Sequence, residues 1–329
     1  MFSRSGATRA ALYAMIPAFA ACSDAPTSTS RAGDVADLHP NAAVRVCTGR
    51  CEYPIVFDAG TDPVVPVRHI YSVNPDGSGF TQLTTGQHSD NAPAWSPDYS
   101  KIVFTSNRHG GPHNVYIMGS KGQNVKRLNN VALSESSPVI SPDGKKIVFV
   151  RDWANGGQGV LWMDIDGTNE KTCGISGVNR EPTWSPDGKK ILFTSNMHST
   201  YNALYDRDVY VIDLNCQGLT RLTNDPAYDA NPVWSPDGSK IFFESDRGGQ
   251  YGIYKMNPNG SNVELVTLAP VGSYVGYISL NAAGTKMLYY SDESGQQFRI
   301  SGLNGGASSV LPLPKTLQSL GSASWSFAR

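Results

Sequence analysis

Charge is scarce in this sequence. Asp, Glu, Lys and Arg make up 17% of 329 residues and nearly cancel, to a net charge of −1. A nucleic-acid partner calls for a basic patch or stripe that neutralises phosphates, so the composition argues against that class of ligand. The apolar stretch from Ala10 to Ala21 is too short to span a bilayer. Cysteine is sparse, at five residues, and no second Cys or His pair stands at zinc-ligand spacing.

Glycine (33), proline (21), tyrosine (15) and tryptophan (6) are plentiful instead, a mixture that suits many short strands joined by tight turns and not helices. The amino terminus reads as an export signal: Arg4 and Arg9 precede the apolar stretch, and small residues follow it. Phe19-Ala20-Ala21-Cys22 resembles a bacterial lipobox, with Phe19 where Leu is usual. That resemblance implies cleavage after residue 21 and a lipid on Cys22; an ordinary signal peptide cut nearby is the alternative. From Ser23 to about His39 the chain is Ser, Thr, Ala, Asp and Pro, a flexible tether. The expected organisation is a signal over residues 1–21, a tether over 22–50 and one folded domain over 51–329. With Cys22 set aside, four cysteines remain, and an even count in an exported chain favours disulfides. Cys47 and Cys51 can close a short loop about Gly49, whereas the pairing of Cys173 with Cys216 stays open.

A repeat fixes the fold class. Trp95-Ser96-Pro97-Asp98 recurs as Ile140-Ser141-Pro142-Asp143-Gly144, Trp184-Ser185-Pro186-Asp187-Gly188 and Trp234-Ser235-Pro236-Asp237-Gly238. A worn copy stands at Leu280-Asn281-Ala282-Ala283-Gly284 and a truncated one at Trp325-Ser326. The steps are 45, 44, 50, 46 and 45 residues, a length that suits four short strands and their turns. Each phrase precedes an apolar triplet such as Ile102-Val103-Phe104 or Ile191-Leu192-Phe193, read as the second strand after a Pro-Asp-Gly turn. Third strands follow, for example Val209-Tyr210-Val211-Ile212, and then more polar fourth strands.

The ends of the chain complete the count. Ile55-Val56-Phe57, His69 to Val73 and Thr81 to Thr84 form a blade without its innermost strand, and Ala323 to Phe327 form an innermost strand without its blade. The prediction is an all-β, six-bladed β-propeller with four antiparallel strands per blade, closed by pairing of the amino- and carboxy-terminal strands, which leaves no open edge.

Ser245-Asp246-Arg247-Gly248-Gly249 followed by Ile253-Tyr254, together with the Trp-Ser-Pro-Asp-Gly phrase, resembles the TolB-type propeller repeat. The resemblance runs over residues 53–329. A short polar tether stands here where TolB carries an α/β domain, so the resemblance speaks for the fold more than for a role in the Tol machinery. Propellers of dipeptidyl-peptidase-like enzymes share such repeats but add a hydrolase domain with a Gly-x-Ser-x-Gly elbow, a motif this sequence lacks.

In a propeller, second-to-third connections and the approaches to innermost strands share one face. This rule gathers His109, His113, Trp153 and His198 from the connections, and His88, Asp90, Asn91, Glu135, Arg180, Glu181, Asp229 and Asn231 from the approaches. Together they outline a polar funnel, while the Pro-Asp-Gly turns on the opposite face look structural. Trp95, Trp184, Trp234 and Trp325 recur at one blade position and read as inter-blade core; Trp153 is the candidate exposed aromatic, and Asp246 and Arg247 are expected to pair within their own turn. The expected function is non-catalytic binding of a protein or envelope polymer through the funnel, by a monomer in the periplasm or at the outer membrane, touching membrane only through its lipid and needing no cofactor. The alternative is a metal-dependent enzyme: oligogalacturonate lyases resemble this repeat type, and funnel histidines could hold a divalent metal.

Overall fold

A computed structural model describes residues 53–62, 67–199 and 206–325. Cys22, Cys47 and Cys51 lie outside these residues, as do the expected signal and tether. The described chain folds into six four-stranded antiparallel sheets. In blades II to VI the strands run in chain order, from an innermost strand such as Asp90–Trp95 or Asn179–Trp184 outwards. Blade I is built from both ends: Ser319–Ser324 pairs antiparallel with Ile55–Gly60, which is followed by Arg68–Val73 and Thr81–Gln82. Each innermost strand touches the next around the ring, and the last closes on the first.

The recurring phrase has one geometry in every full copy. Ser96, Ser141, Ser185 and Ser235 each donate through Oγ to the aspartate two residues on, at 2.6 Å, and each hydroxyl accepts the backbone N–H five residues on, at 2.9 Å. These bonds close the turn and feed the chain into the second strand. Trp95, Trp184, Trp234 and Trp325 are all buried between blades. The indole of Trp95 donates to Pro54 of blade I and that of Trp184 to Val139 of blade III, so each is bonded to the preceding blade as well as packed on it.

Cys173 and Cys216 form a disulfide, which resolves the pairing the sequence leaves open. Cys173 follows the short outer strand Lys171–Thr172 of blade III, and Cys216 lies in the turn between Asp208–Asp213 and Thr220–Arg221 of blade IV. The bond therefore joins two neighbouring blades at their outer ends.

Candidate functional site

The approach-loop face carries ion pairs that tie innermost strands to the rest of their own blades. Asp90 and Asp229 begin the innermost strands of blades II and V, and neither is exposed to solvent. Arg108 Nη2 lies 2.9 Å from Asp90 and Arg247 Nη2 lies 2.8 Å from Asp229; blade III repeats the device with Arg151 and Glu135 at 2.6 Å. Such a partner offsets the cost of burying a charged carboxylate. Burial pushes the carboxyls of Asp229 and Glu135 above their usual range, against the pull of their arginines. Arg247 thus crosses to Asp229 and does not pair with Asp246, whose carboxylate instead accepts the Tyr228 N–H at 2.8 Å.

Most of the remaining funnel candidates have structural partners too. His109 Nδ1 lies 2.6 Å from the Tyr116 hydroxyl and His198 Nδ1 lies 2.8 Å from the Tyr210 hydroxyl. In blade V the matching hydroxyl, of Tyr254, donates to the Arg247 carbonyl. Arg180 donates to Gln158 at 2.5 Å. Trp153 is half-buried and lies across Gly159, where a Cβ would come within 2.6 Å of the indole, so it packs on its own hairpin more than the sequence suggested.

His88, Asp90, Asn91 and His113 do come together. His88 Nε2 is 3.5 Å from Asp90, and His113 Nε2 is 3.0 Å from the Asn91 amide. Burial lowers the pKa of His113 against the opposing pull of Asp90. Among the described residues, no group of three or more His, Cys, Asp or Glu side chains is arranged to hold a metal ion.

Concavity lies elsewhere, along the axis. A cavity of about 710 Å³ is lined by the innermost strands and by the Ser-Pro-Asp-Gly turns, the face expected to be purely structural. Pro93, Pro138, Pro182 and Pro232 on the strands and Pro97, Pro142, Pro186 and Pro236 in the turns wall it. Proline is tolerated because each innermost strand is the free edge of its sheet, where the missing N–H breaks no ladder. The residue before each strand proline is left-handed: Ala92, Ser137, Glu181 and Asn231, with Tyr277 at the same place in blade VI. The ladder slips at these points, a bulge that sets one side chain per blade towards the axis. With Ser322 of blade I they make a ring at the inner end of the cavity. Of the twelve residues gathered from the sequence, Glu181 and Asn231 line this cavity.

Two buried carboxylates on second strands stand behind the ring. Asp58 accepts the backbone N–H groups of Ala92 and Ser322, at 3.2 and 3.1 Å, and pairs with Arg68. Glu244, 1% exposed, accepts the Asn231 amide at 2.8 Å and the Tyr274 hydroxyl at 2.6 Å. Gly276 makes room for them, since a Cβ there would overlap both groups. Burial pushes the Glu244 carboxyl up to about 7, and the Glu181 charge adds to the rise.

A profile for the TolB beta propeller domain matches residues 66–206 and 200–326. The chain belongs to the TolB beta propeller domain family. No curated protein matches it in sequence. Among solved structures, TolB from Acinetobacter baumannii is similar at 22% identity and a TM-score of 0.70, over 83% of this chain and 66% of that one. The chain thus spans slightly less than two thirds of that TolB. A structure provisionally assigned as TolB, from Agrobacterium tumefaciens, is similar at 20% identity and a TM-score of 0.64, over 79% of this chain and 87% of that one. An oligogalacturonate lyase in complex with manganese follows at 16% identity and a TM-score of 0.53, over 79% and 73%. At these identities the likeness carries the fold alone.

In this TolB-family propeller the raised pKa of Glu244 has a measurable consequence. The folded carboxyl holds its proton more tightly than the unfolded one, so its contribution to stability is fully present below about pH 4.5 and is lost as pH rises through about 7. A difference of this size corresponds to about 3 kcal/mol between acid and mildly alkaline solution. Glu244→Gln keeps the volume and an acceptor for Asn231 but cannot ionise. Urea midpoints measured from pH 5 to 8 should fall for the wild type relative to this variant. Parallel profiles would refute the assignment.

Proposed function

We propose that this protein is a binding propeller of the bacterial envelope, and that it takes a segment of a protein partner, or an envelope polymer, into its central channel. The observation that carries the reading is the cavity of about 710 Å³, a size that accommodates a short extended segment. Its walls are rigid, because proline fixes one backbone angle at eight positions. A preformed site of this kind spends little ordering entropy on binding.

Export and a lipid on Cys22 belong to the same proposal, supported by Arg4, Arg9 and the apolar stretch that ends at the cysteine. No helix among the described residues is long and apolar enough to cross a membrane. The donors favour the metal-dependent reading less: His109 and His198 each lie against a tyrosine hydroxyl of their own blade.

Site-specific photocrosslinking tests the proposal. A benzophenone side chain at Ser137, on the ring, should give discrete adducts in envelope preparations, whereas one at Val271, 85% exposed in the connection between blades V and VI and outside the cavity lining, should not. Adducts from Val271 alone would reject the channel as the binding surface. For the anchor, Cys22→Ala should release the protein from the membrane fraction; retention would reject it.

A further inference from the structure

We propose that the ring of the channel recognises a basic side chain, an ammonium or guanidinium group carried on a protein partner, between Glu181, Asn231 and Tyr277. This deepens the channel reading above and rests on it.

The three residues occupy the ring positions of blades IV, V and VI, which are consecutive around the axis. Glu181 presents a carboxylate that is 21% exposed into the cavity. It is held in place from behind, by the Thr194 hydroxyl at 2.5 Å and by buried Arg207 at 3.5 Å. Arg207 is itself seated over the Tyr228 ring, so it fixes the carboxylate without filling the channel. Asn231 gives its amide N–H to Glu244. Its side-chain carbonyl is then the end available to a ligand.

Tyr277 adds an aromatic ring, 42% exposed within the cavity. Tyr274 and Tyr290 meet it edge-on, with centroids 6.1 and 6.0 Å away, and lock its orientation. A carboxylate, a carbonyl and a ring face are the groups that bind an organic cation once water is excluded.

The rest of the wall points the same way. None of the six ring residues (Ala92, Ser137, Glu181, Asn231, Tyr277 and Ser322) is cationic, and eight wall positions are prolines without an N–H. The channel is rich in acceptors and poor in donors, so the favoured occupant brings donors and positive charge. Lys240 and Lys255 lie at the turn-face end and are tied to Asn257 and to Glu264 and Asn304.

The test uses the full chain and fluorescein-labelled nine-residue Gly-Ser peptides that carry one central Lys, Arg, norleucine or Glu, read by fluorescence anisotropy. The Lys and Arg peptides are expected to bind at least tenfold more tightly than the norleucine peptide, and the Glu peptide most weakly. Glu181→Gln, with an unchanged melting temperature as the folding control, should abolish the preference. Lys and norleucine peptides binding within twofold of each other, or a preference that survives Glu181→Gln, overturns the cation assignment. If all four peptides bind alike and Tyr277→Ala weakens them all, the channel reading stands and only the cation claim falls. If none binds and Ser137 gives no photoadduct, both fall.

Discussion

Trp325→Ala should destabilise the protein by about 4 kcal/mol, the cost of truncating a large aromatic side chain in a core that cannot collapse around the gap. Trp325 is 1% exposed and packs with Ile55, Phe57, Tyr71, Leu288 and Phe298, which belong to blades I and VI. Its indole donates to the Tyr53 carbonyl at 3.0 Å, and its backbone N–H to Ser279 of blade VI at 2.7 Å. The side chain is thus both part of a core and part of the seam where the last strand meets the first blade. Trp234 makes a useful comparison, because it is buried at the equivalent position but its indole N–H has no partner among the described residues. Trp234→Ala should therefore cost less by about the net worth of one hydrogen bond, roughly 1 kcal/mol. Urea denaturation of both variants reads the difference. Equal midpoints for Trp325→Ala and the wild type would mean that the seam contributes nothing to global stability.

The seam also shows which parts of the molecule were legible in the sequence. Blade number, strand order and closure follow from a phrase that repeats at nearly constant steps, because turn chemistry and the apolar triplet each leave a local mark. Trp325 could be placed from its own phrase alone. The site was less legible because its geometry is not local. Asp90, Asp229 and Glu135 look like funnel acids in sequence, yet each is consumed by an arginine of its own blade, on or just after the second strand. The histidines look like ligands, yet His109 and His198 hold tyrosine hydroxyls.

What the sequence did hold was a weaker sign: the residue before each strand proline, at Ala92, Ser137, Glu181 and Asn231. Four non-glycine residues with positive φ at one repeat position mark strain maintained by the fold, and such strain gathers where side chains must be aimed. Glu244 and Tyr274 left no sign at all, because their meeting depends on the space above Gly276 between two blades.

Breaking the disulfide between Cys173 and Cys216 should cost roughly 4 kcal/mol on loop-closure grounds, given a sequence separation of 43 residues. The separation is close to one blade, which on the repeat alone would place the two cysteines at matching points of neighbouring blades. The second-to-third connection of blade IV is longer, however, running from Asn196 to Arg207 against Asn107 to His113 in blade II. That insertion accounts for the 50-residue step. It moves Cys216 back into the turn before the fourth strand, while Cys173 lies just beyond the fourth strand of blade III. The bond also covers the outer end of a core shared by the two blades, where Cys173 packs with Trp162, Trp184 and Tyr210. In blades III and IV the fourth strands are only two residues each, so few ladder bonds hold that rim in its absence. The double variant Cys173→Ala, Cys216→Ala should therefore lower the urea midpoint strongly, and reductant should reproduce the loss in the wild type. Hydrogen exchange should show the opening at the outer strands of blades III and IV, with the innermost strands still protected. A midpoint unaffected by both treatments would show that inter-blade packing alone fixes the rim and that loop closure contributes nothing measurable to stability.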